Sequence, residues 1–191
     1  ELNKYATRYK GTVGALSDGT TGTSDEGVVV GVAEVRLPVS AVPLVNRVQG
    51  NLYSNYPAEA EHVRRRGVTL ENQYRFNLQW DGNRVYIPVY NEGKLVNYVG
   101  RAAWWLDTTL RRYEYFPGAK TREFIFNWDA VKLWDSVVLV ENTFNGIWLS
   151  DHFNATSNFG SDLSVKQIEL IAASKLKKVV LKAVPGIQVV M

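Results

Sequence analysis

The chain has 191 residues, 46% of them apolar and 12% aromatic, enough to bury a real core and to exclude a disordered protein. Charged residues make up 21% and the formal net charge is +3, with a pI of about 9.1, a mild basic bias that permits a polyanionic partner without requiring one. There are no cysteines, which excludes disulfides, thiolate nucleophiles and Cys-ligated zinc.

The two histidines, His62 and His152, are far apart and in no metal-ligand spacing, so each reads as a surface or packing residue. No apolar run approaches the roughly 20 residues that cross a bilayer. No charged-then-apolar leader opens the sequence either. A soluble, cytoplasmic protein without a membrane partner is therefore the expectation.

Residues 10–27, "KGTVGALSDGTTGTSDEG", are rich in Gly, Ser and Thr and read as a flexible loop. A strand is expected from Val28 to about Val35, closed by Pro38, making residues 1–50 a strand or hairpin appendage. A helix follows at 57–66, "PAEAEHVRRR". Pro57 suits its first turn, the acids lie early, three arginines lie late, and Gly67 stops it. The run Arg64–Arg65–Arg66 is read as a helix end, since the helix dipole accounts for it. Thr69 can cap a second short helix, "LENQYRFNL".

From Asn83 the period becomes that of strands: "RVYIPVY", a turn at "NEG", then "KLVNYVGRAAW". Strand-like pieces around Arg112–Tyr115 and Glu123–Phe126 flank the turn "PGAK". The last third alternates: strand 137–141, helix 144–152, short strand 154–158, helix 164–176, strand 178–183. Ser164 and Gln167 have capping-box spacing, and Val165, Ile168, Ile171, Ala172 and Leu176 mark the expected inner face of the last helix. The fold class expected is α/β, α+β overall: an antiparallel or mixed basic sheet subdomain at 51–130, followed by a parallel α/β sheet at 131–191. In that sheet "VVLVENTFNGIW" presents a lone carboxylate, Glu141, at the carboxyl end of a buried strand, where α/β enzymes often hold a catalytic acid.

Three stretches in this order resemble the catalytic core of bacterial and phage DNA primases, a basic sheet subdomain followed by a Toprim domain. They are "RRRGVTLE", then "NRVYIPVYNEGKLVNYVGRAAW" with "RRYEYFPGAKTREFIFN", then "VVLVENTFNGIWL" with "NATSNFGSDLSVKQIELI" and "KKVVLKAVPG", spanning residues 57–186. The resemblance implies that Glu141 serves in acid-base catalysis or metal holding. It also implies that aspartates near it bind Mg²⁺ to neutralise phosphate charge.

The sequence departs from the pattern at those aspartates. Asn142 replaces a glycine, Asn145 replaces one aspartate, and Val184 and Gly186 stand at the two aspartate positions of the third strand, with Pro185 between them. Neither a hydrocarbon nor a hydrogen ligates a cation, so no metal site is expected, and Mg²⁺ is a cofactor only if the protein is active. Asp162 precedes the cap of the last helix and is not expected to substitute. The sequence reaches Met191 just past this motif, so an incomplete Toprim subdomain is one expectation, and residues 1–50 hold no Cys or His for the family's zinc ribbon.

The basic positions are kept. By the resemblance, Arg84, Arg101 and the pair Arg112–Tyr113 match residues lining the primase basic groove, with Lys120 and Arg122 in the turn that follows. Arginine suits phosphate through its planar fork. Trp104, Trp105, Tyr113, Tyr115 and Phe116 could stack on unpaired bases, or serve as sheet core.

Three functions stay open. The first is a primase-related, phage-type replication protein that binds single-stranded DNA with weak or no catalysis. The second is an active primase or Toprim phosphotransferase whose metal site is completed elsewhere. The third is a structural or interaction module in which the Toprim surface is a protein-binding face. A replicative helicase or another replication protein is the expected protein partner.

Overall fold

In a computed structural model, residues 34–103, 109–183 and 186–190 are described. The expected loop at 10–27, nearly all of the strand at 28–35, Trp104, Trp105, Val184 and Pro185 lie outside them. The chain divides into two units, Glu1–Glu34 and Val35–Met191, and the described helices and strands all belong to the second.

A short strand β1 (Val42–Pro43) leads into a hairpin of β2 (Val45–Val48) and β3 (Asn51–Ser54). Its turn residues Gln49 and Gly50 both take positive φ, the twist a two-residue hairpin loop needs. Helix α1 (Pro57–Arg64) starts on Pro57 and buries Ala60 and Val63. Helix α2 (Leu70–Arg75) is capped by Thr69, whose hydroxyl accepts from Asn72 N at 3.2 Å. Both agree with the sequence expectation, as does Gly67 between them. Its φ is +85°, and a Cβ there would fall 2.5 Å from Trp148 Cδ1, so the site needs a residue without a side chain.

The first sheet has the order β1-β4-β5-β6-β7, antiparallel throughout, built from β4 (Gln79–Trp80), β5 (Arg84–Asn91), β6 (Lys94–Ala102) and β7 (Tyr113–Tyr115). Glu92 and Gly93, both at positive φ, turn β5 into β6. The register does not stay that of a simple hairpin. Tyr90 pairs with Leu95 but Val89 pairs with Asn97, so Val96 is an extra residue, a β-bulge, and beyond it every pairing is shifted by one.

The second sheet has the order β11-β10-β8-β9, from β8 (Ser136–Val140), β9 (Ala155–Ser157), β10 (Lys178–Ala183) and β11 (Gly186–Val190). β8 is parallel to β9 and to β10, as the strand-helix-strand-helix-strand pattern predicts, and the connections are α4 (Thr143–Leu149) and α5 (Val165–Ala172). β11 was not expected: it returns antiparallel along β10, and Gly186 opens it. On one sheet face, Val137, Leu139, Val179 and Leu181 pack against α5 and a short helix α3 (Trp128–Val131). On the other, Val138 and Val140 meet Leu149 of α4.

Three expectations are corrected. Glu123–Phe126 is not a strand: Thr121–Glu123 forms a 3-10 turn, and the residues after it pass between two cores. Ile125 enters the core under α5 while Phe126 enters the core of the first sheet, so the segment bridges two layers and has no free edge to pair. The inner face of α5 is also different. Val165 and Ile168 are 74% and 51% exposed, whereas Gln167 is buried, donating to Phe124 O at 2.7 Å and Asn158 O at 3.0 Å. Anchoring Gln167 turns Leu170 and Ile171 inward and rotates the apolar pair out. The helix ends at Ala172 rather than 176, because Ser174 makes the next turn by donating to Ile171 O and accepting from Leu176 N.

Candidate nucleic-acid interface

With the order β10-β8-β9, the chain leaves β8 toward β9 and then crosses back to β10, so the carboxyl ends of β8 and β10 form the crevice where open parallel sheets bind ligands. Glu141 follows the last residue of β8 and stands at this crevice, exposed. Asn142, beside it, caps α4: its Oδ1 accepts from Phe144 N at 2.8 Å. Its Nδ2 donates to the Tyr113 hydroxyl at 2.7 Å. One side chain thus ties the end of β8 to β7 of the first sheet. Between them lies a pocket of about 330 Å³, lined among others by Glu141, Asn145, Trp148, Tyr113 and Arg112.

Tyr113 is the centre of the basic set. In the β6–β7 register it lies directly opposite Arg101, whose guanidinium is 4.7 Å from its ring centroid, and Arg112 is 5.6 Å from it. Each is within cation-π range. Arg101 is only 6% exposed. Burial pushes its pKa down; the Tyr113 hydroxyl opposes that shift, and the positive charges of Arg112 and Arg66 add to it. Three guanidiniums therefore share one neighbourhood, an arrangement that an anion would relieve.

Arg66 is the member that sequence reasoning missed. Arg64 and Arg65 do behave as a helix end, both held by Glu61 at 2.6 and 3.3 Å. Arg66 leaves the helix axis and lies over the Phe144 ring at 5.3 Å, next to the site. The available signal was Gly67, which redirects the chain just after it.

Arg84 is placed differently. It is 8% exposed, pairs with Glu114 through Nε at 3.0 Å, and donates to Arg111 O at 2.8 Å. Its guanidinium is committed to holding the 111–114 segment on the sheet. Lys120 and Arg122 belong to the 3-10 turn beside α5. Lys120 pairs with Glu123 at 3.2 Å on the surface, and the Arg122 carbonyl accepts from Ser164 Oγ. The structure thus brings Arg101, Arg112, Tyr113 and Glu141 together and sets Arg84, Lys120 and Arg122 apart.

The described aromatics serve chiefly as packing. Phe116 meets Tyr98 edge-on at 6.2 Å, and burial raises the Tyr115 pKa. Asp162 is engaged in its own turn, accepting from Ser161 Oγ and Asn158 Nδ2, each at 3.1 Å. Among the described residues no group of three or more His, Cys, Asp or Glu converges in a way that would hold a metal ion. No helix of the described residues is long and apolar enough to cross a membrane.

No protein-family model matches the sequence, and no curated protein matches it. Solved structures do. The Aquifex aeolicus primase, zinc-binding and RNA polymerase domains, superposes with a TM-score of 0.56 at 20% identity, over 66% of this chain and 42% of that one. The E. coli primase catalytic core gives 0.55 at 13% identity, over 67% of this chain and 56% of that one. A DnaG catalytic core gives 0.53 at 14% identity, over 63% and 53%. The chain therefore spans about half the length of the structures it matches. At these identities the likeness concerns the fold: this chain has the mixed α/β fold of bacterial DNA primase catalytic cores.

Proposed function

We propose that the protein is a primase-related nucleic-acid-binding protein of phage-type DNA replication, which holds single-stranded DNA on Arg101, Arg112 and Arg66 and has weak or no polymerase activity. The observation that carries this reading is the placement of the Arg101 and Arg112 guanidiniums over Tyr113 beside an open crevice, with Arg66 over Phe144 of the adjoining helix. Phosphate is the anion that arginine forks fit best. Arg84 supports the groove from within by holding the 111–114 segment.

The second half of the site reads as a Toprim scaffold without its acids. Mg²⁺ prefers several hard oxygen ligands in near-octahedral geometry. The described residues offer it one carboxylate, Glu141, with Asn145 on the adjacent helix and Gly186 in the β10–β11 hairpin. This donor set does not fit the ion. A replicative helicase or another replication protein is the partner class the reading implies.

The test is binding of a fluorescent oligo-dT to the whole protein at rising salt. Binding at low salt that falls linearly in log–log form is expected, with a slope near −0.7 per phosphate contact. Absence of binding at low salt would overturn the reading. An active enzyme is favoured by one observation, the position of Glu141 at the strand crevice. Mg²⁺-dependent primer synthesis that disappears in Glu141→Gln would establish it.

A further inference from the structure

The pocket beside the arginines contains groups that phosphate binding does not use. Among the described residues Glu141 has neither a hydrogen-bond nor an ion-pair partner, although it and Arg112 line the same cavity of about 330 Å³. A carboxylate repels phosphate, so a pocket built for phosphate alone gains nothing from it. It needs a ligand that also carries N–H donors.

Asn145 and Trp148 lie three residues apart on α4 and so share its open face, while Phe144, Gly146 and Ile147 on the inner side are buried. The Trp148 indole is 43% exposed and is backed by the bare backbone of Gly67, against which it lies too closely for any side chain. A fixed, half-exposed indole is a stacking platform for a base. The cavity is at the small end of the range for ligand pockets, about 300–1,000 Å³, room for a single nucleotide.

We infer that this pocket takes one unpaired guanine nucleotide, with the base on Glu141, Asn145 and Trp148 and the phosphate on Arg112. The proposal rests on the nucleic-acid reading above for its phosphate contact and goes beyond it in naming the base. Guanine alone among the common bases carries two N–H donors side by side, N1–H and the N2 amino group, which both oxygens of a carboxylate can accept at once. Its O6, next along the same edge, accepts from an amide N–H such as that of Asn145. Adenine and cytosine put a ring-nitrogen lone pair where the second donor should be. Thymine and uracil flank their single N–H with carbonyls.

The replacement of an acid by Asn145 then has a positive role. A carboxylate there would repel O6, whereas the amide donates to it. Platform, acceptor and donor all belong to one strand end and one helix, with Arg112 across the cavity.

The experiment is calorimetric titration of the whole protein, without divalent ions, with GMP, IMP, AMP and CMP. GMP is expected to bind about tenfold tighter than IMP, which lacks only the N2 amino group, within the discrimination a bidentate base contact provides. AMP and CMP should be weaker than GMP by at least as much. Glu141→Gln, which turns one acceptor into a clashing donor, should bring GMP and IMP within about twofold. Equal affinities of the unmodified protein for GMP and IMP, or no GMP binding, would overturn the proposal without recourse to any variant. The oligo-dT titration separates the two ideas: dT binding without a GMP preference removes the guanine pocket alone. A GMP preference without dT binding removes the DNA-binding reading alone.

Discussion

Two faces of one sheet hold two buried arginines in opposite circumstances. On one face Arg84 meets Glu114, which also accepts from the Tyr98 hydroxyl at 3.3 Å, and Tyr86 donates to Asp81 at 2.9 Å. Tyr86 lies across Gly100, where a Cβ would fall 2.8 Å from its ring, and burial together with the Asp81 contact raises its pKa. This polar cluster is internally satisfied. On the other face Arg101 lies against the Tyr113 ring, and the charges of Arg112 and Arg66 push its pKa down further. The first arrangement stabilises the fold, and the second stores positive charge next to a crevice.

The contrast arises from one residue. With an unbulged hairpin turning at Glu92–Gly93, Arg84 would pair with Arg101 and the two cations would share a face. The bulge at Val96 shifts the pairing, so Arg84 lies opposite Ala102 and Arg101 opposite Val85. A slip of one residue moves every side chain beyond it to the other face. The largest expected effect is therefore deletion of Tyr90 from β5, which with the bulge kept would draw Arg84 one step along to face Arg101 and cost the native state. Near-ultraviolet circular dichroism should show loss of fixed aromatic packing. A natively folded Tyr90-deletion variant would remove the register from the explanation.

Next in size is Arg84→Ala, which leaves Glu114 without its cation and the Arg111 carbonyl without its donor. A loss of about 3 kcal/mol is expected, on the scale of charged hydrogen bonds, lowering Tm by roughly 6–12 °C for a chain of this size. Arg101→Ala should reverse the pattern. It removes a desolvated cation from the vicinity of two others, so thermal unfolding should shift less than for Arg84→Ala, while affinity for oligo-dT falls about tenfold, near the lower limit of a charged hydrogen bond. If both variants lose stability alike and binding alike, the two faces do not differ as described.

A smaller effect is expected from Asn142→Ala, which breaks the cap of α4 and the link to Tyr113. It should cost about 1 kcal/mol in denaturant unfolding. Tyr113→Phe, which removes only the link, should cost less. An equal loss in the two would mean that the cap contributes nothing.

Much of this fold can be read in the sequence. The alternation of β5 and β6 around "NEG", the Thr69 and Ser164 caps, and the apolar run that ends at Glu141 each reflect local periodicity or local hydrogen bonding, and each is found. What escaped depends on distant partners. The bulge has no residue signature in "KLVNYV", so motif matching treated Arg84 and Arg101 as equals. The burial of Gln167 depends on carbonyls of Phe124 and Asn158, and this is why the apolar spacing of Val165 and Ile168 points to the wrong side. Arg66 was grouped with Arg64 and Arg65 because only the fold brings Phe144 beneath it. At the candidate site, Glu141, Arg101, Arg112 and Tyr113 were named from the sequence, but their convergence through Asn142 was not.

The most direct test of the claim that the Arg101–Tyr113–Arg112 cluster binds nucleic-acid phosphate is oligo-dT affinity at low salt for the unmodified protein and for Arg101→Ala/Arg112→Ala. The expected result is a loss of at least tenfold with a salt slope reduced by about 1.4, two contacts at 0.7 each. Equal affinities and equal slopes for the two proteins would contradict it.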